Sequence, residues 1–184
     1  MKALSLLLPL ALLAACDSGP TVKADNAKPS EVAAKVRAAG GGSSFVRPGK
    51  WVSTVTIQEM NVPGMPPEFT ARMKEQMAQA REYESCLTPE EAKKPKEGFF
   101  AGVDKSCKYD HFEMTGGKID ATMRCNREGM SQTMIMAGTY SDERYDMQMS
   151  STMQGAGPRG GMALKMRVDS KRVGECDARA AAKG

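Results

Sequence analysis

The chain has 184 residues and a formal net charge of +4; 41% of its residues are hydrophobic and 26% are charged. These values are typical of one soluble globular domain with appendages. Basic and acidic residues are interspersed along the chain instead of forming blocks, so the sequence gives no indication of a nucleic-acid-binding surface and no nucleic-acid partner is expected.

The N-terminus has the three parts of a signal peptide, spanning residues 1–15. Lys2 supplies a positive start, an apolar run covers residues 3–13, and two alanines precede Cys16. This run is about half of the roughly 20 apolar residues that a transmembrane helix needs. The quartet Leu13-Ala14-Ala15-Cys16 resembles the lipobox of bacterial lipoproteins. In these proteins the leader is removed just before the cysteine, and the cysteine is lipidated.

We therefore predict that Cys16 carries acyl chains such as palmitate and anchors an exported protein to the bacterial cell membrane, facing the periplasm. An ordinary signal peptide with a chance cysteine is the alternative. Asp17 slightly favours residence in the inner membrane, but the sequence does not decide between the inner and the outer membrane.

Residues 16–47 are predicted to form a flexible tether, because they are rich in polar and small residues and include the Gly/Ser run at 40–44. Ser30 can cap a short helix in which Val32 and Val36 lie one turn apart. Two valines would bury little surface. We expect a mobile arm that holds the folded domain away from the membrane.

The predicted domain covers residues 48–176 and begins with a strand at 51–57, where β-branched and aromatic residues are frequent. An amphipathic helix is predicted to begin near Pro66 and to pack on the apolar face of the sheet. Its apolar positions recur at helical spacing: Phe69, Met73, Met77 and Ala80. A short strand through Tyr83 and Cys86 follows, and Thr88-Pro89 predicts the start of a second short helix.

From Cys107 onward the hydrophobic pattern has a period of two, which predicts antiparallel strands with one apolar and one polar face. Gly116-Gly117 and residues 141–143 are the predicted hairpin turns. The fold class is therefore mainly β (α+β), an antiparallel meander sheet with one amphipathic helix and two disulfides. Residues 177–184 are expected to be a disordered tail. The apolar positions after the first hairpin are Met134, Met136, Tyr140, Tyr145, Met147, Met149, Met153, Met162, Leu164, Met166 and Val168.

Four cysteines remain once Cys16 is assigned to lipidation, and an even number in an exported chain predicts two disulfides. Zinc sites need closely spaced pairs, which this sequence lacks. If the first hairpin has a three-residue turn, Cys107 falls opposite Cys125, and Cys86 is left to pair with Cys176. A two-residue turn would shift the register by one residue and place Cys107 and Cys125 on opposite faces, so the pairing depends on the turn.

No catalytic residue is predicted, and the chain is not expected to be an enzyme or to carry a cofactor. The single histidine, His111, lies in a predicted strand without an indicated nucleophile, so a structural role is expected. The carboxylate pairs at 90–91 and 142–143 lie at a helix start and in a turn, where charge is solvated.

The chain contains 15 methionines. Their alternation with polar residues favours a core face in which methionine replaces other apolar residues. A second hypothesis is a metal site or an oxidant buffer, since thioethers suit Cu(I) and oxidise reversibly. The candidate ligands are Met134, Met136, Met147 and Met149.

Six short motifs are spread along the predicted domain: Pro48-Gly49-Lys50-Trp51, Cys86-Leu87-Thr88-Pro89-Glu90, Cys107-Lys108-Tyr109, Gly116-Gly117-Lys118-Ile119, Gly138-Thr139-Tyr140 and Gly174-Glu175-Cys176. Together they resemble a bacterial family designated domain of unknown function 3617. The resemblance implies a small exported or lipid-anchored β-rich domain and brings no known activity. The leading hypothesis is a non-catalytic envelope protein, either a structural module or one that binds an envelope partner or a small apolar ligand between sheet and helix.

Overall fold

The secondary structure was obtained from a computed structural model that describes residues 21–40, 46–77, 80–93, 106–127, 129–155 and 161–177. Strands dominate these residues, and the predicted mainly β fold is confirmed. The elements are β1 (Val22–Ala27), α1 (Pro29–Ala39), β2 (Gly49–Asn61), α2 (Pro67–Met77), β3 (Arg81–Leu87), α3 (Pro89–Lys93), β4 (Cys107–Thr115), β5 (Lys118–Arg127), β6 (Met130–Tyr140), β7 (Arg144–Gly155) and β8 (Met162–Gly174).

The strands form one 8-stranded antiparallel sheet in the order β1-β4-β5-β6-β7-β8-β2-β3. The centre is the predicted meander, in which β4 to β8 each pair with the next strand along the chain. The N-terminal strands are added at the two sides: β1 pairs with β4, and the β2–β3 pair joins at β8.

The first hairpin combines a two-residue turn with a bulge. Thr115 pairs with Lys118, and Gly116 and Gly117 both have positive φ (55° and 72°), as a tight hairpin turn of this kind requires. This is the two-residue turn that would separate the cysteines. A register shift between Tyr109 and His111 adds one residue to β4 and brings Cys107 directly opposite Cys125.

Residues 22–39 are part of the folded domain, so the expected flexible arm is wrong for this segment. β1 pairs with β4 over Val22 to Ala27, and α1 contacts both strands. Val32 is 0% exposed and Val36 is 3% exposed, and both belong to the hydrophobic core. The two valines bury much more apolar surface than expected, because the sheet offers a wide apolar face on which the short helix α1 packs.

The helix α2 forms where it was predicted, but its packing on the apolar face of the sheet is not confirmed. Phe69 is 63% exposed, and only Thr70 and Met73 are half-buried among its described side chains. The helix that packs on the apolar face is α1. The α3 helix begins as predicted, because Thr88 Oγ1 accepts a hydrogen bond from the Glu91 backbone N–H (3.2 Å) and Glu91 Oε2 accepts one from Thr88 N–H (3.1 Å).

The two faces of the sheet differ in chemistry. In an antiparallel sheet, directly opposite residues share a face. One face is apolar across β1, β4 to β8 and β2, and ends before β3. The other, here called the charged face, is crossed by ion pairs between neighbouring strands, which keep it soluble while each contributes little stability. These pairs include Lys23–Glu113 (2.8 Å), Arg124–Asp110 (2.7 Å), Arg144–Asp169 (2.6 Å), Arg167–Asp146 and Lys165–Glu59 (3.5 Å).

Candidate functional site: the methionine face

The apolar face of the sheet has two halves that differ in burial. On β1, β4 and β5 it is covered by α1, and its side chains are fully buried: Val22, Ala24, Tyr109, Phe112, Met114, Ala121 and Met123. On β6, β7 and β8 the side chains are only half-buried. We call this second half the methionine face, and it consists of Met134, Met136, Met147, Met149, Met153, Met162 and Met166.

Three of these methionines form a row across the sheet. Met136 of β6 is directly opposite Met149 of β7, and Met149 is directly opposite Met166 of β8. Ile57 of β2 continues the row beyond Met166. Directly opposite residues have Cα atoms about 4.5–5.5 Å apart, so neighbouring side chains in the row are within contact range.

The four methionines proposed as ligands from the sequence all lie on this face, but only Met136 and Met149 are direct partners. Met134 is opposite Ser151 and packs against the core that α1 covers. Met147 is opposite Gly138, and a Cβ atom on Gly138 would lie 2.7 Å from the sulfur of Met147. The missing side chain of Gly138 therefore leaves the space that the Met147 thioether fills.

Met166 is the residue of the row that the sequence hypothesis omitted. The sequence did place Met166 on the apolar face, because Met162, Leu164, Met166 and Val168 alternate with polar residues. The register between β6 and β7 follows from their short turn, whereas the loop before β8 does not fix which β8 residue lies opposite Met149. Only the pairing of the strands identifies Met166 as the third member.

Trp51 closes one end of the apolar face. Its ring is buried and stacks on Tyr145 at 5.8 Å between ring centroids. Ser170, the strand partner of Tyr145, is 0% exposed, and its hydroxyl lies 2.7 Å from the hydroxyl of Ser53. Trp51 Nε1 donates a hydrogen bond to the carbonyl oxygen of Arg47 (3.0 Å), which satisfies the polar atom of the buried ring.

A cleft of about 620 Å³ lies between α2 and the ends of β2, β7 and β8, a volume in the usual range for ligand sites. Thr70 of α2 borders it. Half of its lining belongs to the charged face, where Glu59, Lys165 and Ser150 form one cross-strand row and Asn61, Ala163 and Thr152 form the next. Ile57, Met60 and Leu164 of the apolar face also border the cleft, so its walls are mixed in chemistry.

The cysteines are placed in the two pairs that the sequence favoured. Cys107 is joined to Cys125 inside the core, and Cys86 at the end of β3 is joined to Cys176 after β8. Cys16 lies outside the described residues, as do residues 178–184 of the expected tail.

Two titratable side chains of the described residues lie in contrasting surroundings. His111 Nδ1 lies 3.2 Å from Asp25 Oδ1, and its Nε2 lies 3.6 Å from Asp120 Oδ1, on the charged face. Burial raises the pKa of the Tyr109 hydroxyl to about 12, so this side chain is a neutral core residue.

Two features are absent from the described part of the chain. Within it, histidine, cysteine, aspartate and glutamate form no group of three that could hold a metal ion. None of its helices has the length and apolar character needed to cross a bilayer.

Comparison with protein families gives a match over residues 46–176 to a family described as proteins of unknown function, DUF3617. The matched region contains β2 to β8 with α2 and α3, whereas β1 and α1 precede it. No match was found among curated proteins or among solved structures. Because the match covers more than half of the chain, and agrees with the motifs noted in the sequence, this chain belongs to the DUF3617 family.

Proposed function

We propose that this chain is a non-catalytic, lipid-anchored envelope protein that binds the acyl chain of a lipid on its methionine face. The observation that carries the proposal is the difference between the two halves of the apolar face. Where α1 covers the sheet, the side chains are fully buried, whereas seven methionines on β6 to β8 stay half-buried. An apolar occupant would remove this surface from water.

The chemistry of the face suits a long, flexible ligand. The cross-strand charges lie on the opposite face, so an acyl chain on this side would meet thioether and aliphatic side chains, including Leu164 and Val168. Methionine is unbranched and adapts its shape, which is why it is frequent on surfaces that accept variable apolar partners. A protein held at a membrane by Cys16 would have lipids within reach.

A brominated long-chain fatty acid tests this function, because bromine quenches the fluorescence of a nearby tryptophan and Trp51 is the single tryptophan. The protein is the full chain with Cys16→Ser, so that its own acyl groups cannot compete. Trp51 lies on the apolar face of β2, and we expect saturable quenching. Leu164→Asp, which places a charge on this face, should weaken binding at least tenfold, or about 1.4 kcal/mol.

The matched control is Ala163→Asp, one residue away on the same strand. Both residues line the cleft, but Ala163 lies on the charged face and only Leu164 lies on the methionine side of the sheet, so Ala163→Asp should bind like the parent chain. If Ala163→Asp weakens quenching as much as Leu164→Asp does, the ligand occupies the cleft that both residues line and the proposed site is wrong. Thermal unfolding of both variants confirms that the comparison is between folded proteins.

The lipid anchor has its own test. Cys16→Ser should abolish incorporation of labelled palmitate, leave an unprocessed precursor or a product cut elsewhere, and release the mature protein from stable membrane attachment. Ser18→Ala, two residues farther along, should keep the label and the membrane fraction. A wild-type chain that incorporates no label, or whose mature N-terminus lies well beyond Cys16, contradicts the lipoprotein proposal.

A further inference from the structure

We propose that Met136, Met149 and Met166 form a binding site for a soft monovalent metal ion, Cu(I), through their three thioether sulfurs. The site is independent of the acyl-chain function, because it depends on the sulfur atoms of one row and not on the apolar surface as a whole.

The register supplies the geometry. The three residues are consecutive direct partners on β6, β7 and β8, so Met149 is flanked on both sides. With neighbouring Cα atoms about 4.5–5.5 Å apart, the two outer side chains need only lean toward the central one for three sulfurs to meet above Met149. Methionine has three rotatable side-chain bonds, and it makes this adjustment without movement of the strands.

The donor set determines which metal is bound. Thioethers are soft, neutral ligands that select Cu(I), whereas Mg²⁺ and Ca²⁺ require oxygen ligands and Zn²⁺ prefers imidazole, thiolate and carboxylate. Ile57 extends the row on β2, and Ala121 extends it on β5, so its nearest cross-strand neighbours offer no competing oxygen or nitrogen side chain. All three methionines are half-buried, which leaves the ion access from solvent.

The other methionines of the face are less suited to this role. Met134 has Ser151 and the buried Met123 as its strand partners, so no second half-buried methionine lies directly opposite it. Met147 is held over Gly138 by the space that this residue leaves. The structure therefore favours a different set from the four methionines that the sequence suggested, with Met166 in place of Met134 and Met147.

The test is an anaerobic titration of the full-length protein in detergent with Cu(I), in competition with a coloured Cu(I) chelator. We expect one Cu(I) per chain with submicromolar affinity. Met149→Leu keeps the volume and apolar character of the central residue and removes its sulfur, so affinity should fall at least tenfold. Met130→Leu is the control: Met130 is 48% exposed at the start of β6 and lies outside the row, and this variant should bind like wild type.

X-ray absorption at the copper edge supplies the second readout, with a first shell of three sulfurs expected. Equal affinity in wild type and Met149→Leu, or a shell made of nitrogen or oxygen, overturns the proposal. The two proposals fail separately: Leu164→Asp, which lies outside the row, should impair fatty-acid binding and leave Cu(I) affinity unchanged, whereas the Cu(I) proposal is decided by the loss of one sulfur in Met149→Leu.

Discussion

Replacing Val32 with Asp is expected to lower the free energy of unfolding by about 3–5 kcal/mol, because it buries a charge without a partner. Val32 is 0% exposed and lies in a cluster of apolar side chains with Val36, Tyr109 and Phe112. In a domain whose total stability is about 5–15 kcal/mol, a loss of this size leaves much of the protein unfolded. Urea denaturation followed by circular dichroism measures it.

The control for this variant is Ala34→Asp, on the exposed side of the same helix. Both substitutions introduce a carboxylate into the first half of α1, so the added charge is matched, and the loss of helix propensity is larger for the control because alanine is the better helix former. Ala34→Asp should cost less than about 1 kcal/mol. Equal and small effects of the two variants would show that α1 does not pack on the sheet and that residues 22–39 form the flexible arm suggested by composition.

Removing the Cys86–Cys176 disulfide by substituting both cysteines with alanine is expected to cost about 4–5 kcal/mol. The cysteines are separated by 90 positions, and the entropy that a crosslink removes from the unfolded chain grows with the loop it closes. The Cys107–Cys125 bridge closes a separation of only 18, and its removal should cost about 3 kcal/mol by the same relation. Urea denaturation of the two double variants gives the comparison.

Peptide mapping of unreduced protein by mass spectrometry provides the control for the pairing itself. Reduction of the wild type should lower its stability by at least as much as the larger of the two effects. A peptide that joins Cys86 to Cys107, or a free thiol at any of the four positions in protein taken from the envelope, contradicts the pairing. A larger effect for the shorter loop would mean that strain or packing at the core bridge, and not chain entropy, controls the stability.

The strands of the meander could be predicted from the sequence because each lies beside its neighbour in the chain. The period of two assigned Met134 and Met136 to the same face, and both turn residues of the first hairpin were recognisable as glycines. The cysteine pairing was right although the favoured turn length was not. The bulge in β4 adds the residue that the turn lacks, and local sequence gives no signal for it.

The edges of the sheet could not be predicted in this way. β1 is short, its apolar residues are one valine and two alanines, and its partner β4 lies far along the chain. Composition therefore predicted a tether where the structure has residues that complete the core. The helix with the clearer apolar spacing, α2, barely packs, whereas α1 buries Val32 and Val36. Which helix covers the sheet depends on where long-range pairing leaves an open apolar surface, and the spacing of residues within a helix does not contain that information.

The strand order also determines when this protein can fold. Trp51 pairs with Arg172, so the strand β2 has no partner on one side until almost the whole chain has been synthesised. β1 likewise waits for β4. Hairpins in the meander close over short distances, but completing the sheet requires pairing of β2 with β8, the last strand along the chain, and such high contact order slows folding. Until β8 is available, the incomplete sheet therefore exposes apolar strands, which favours aggregation of the unfinished chain.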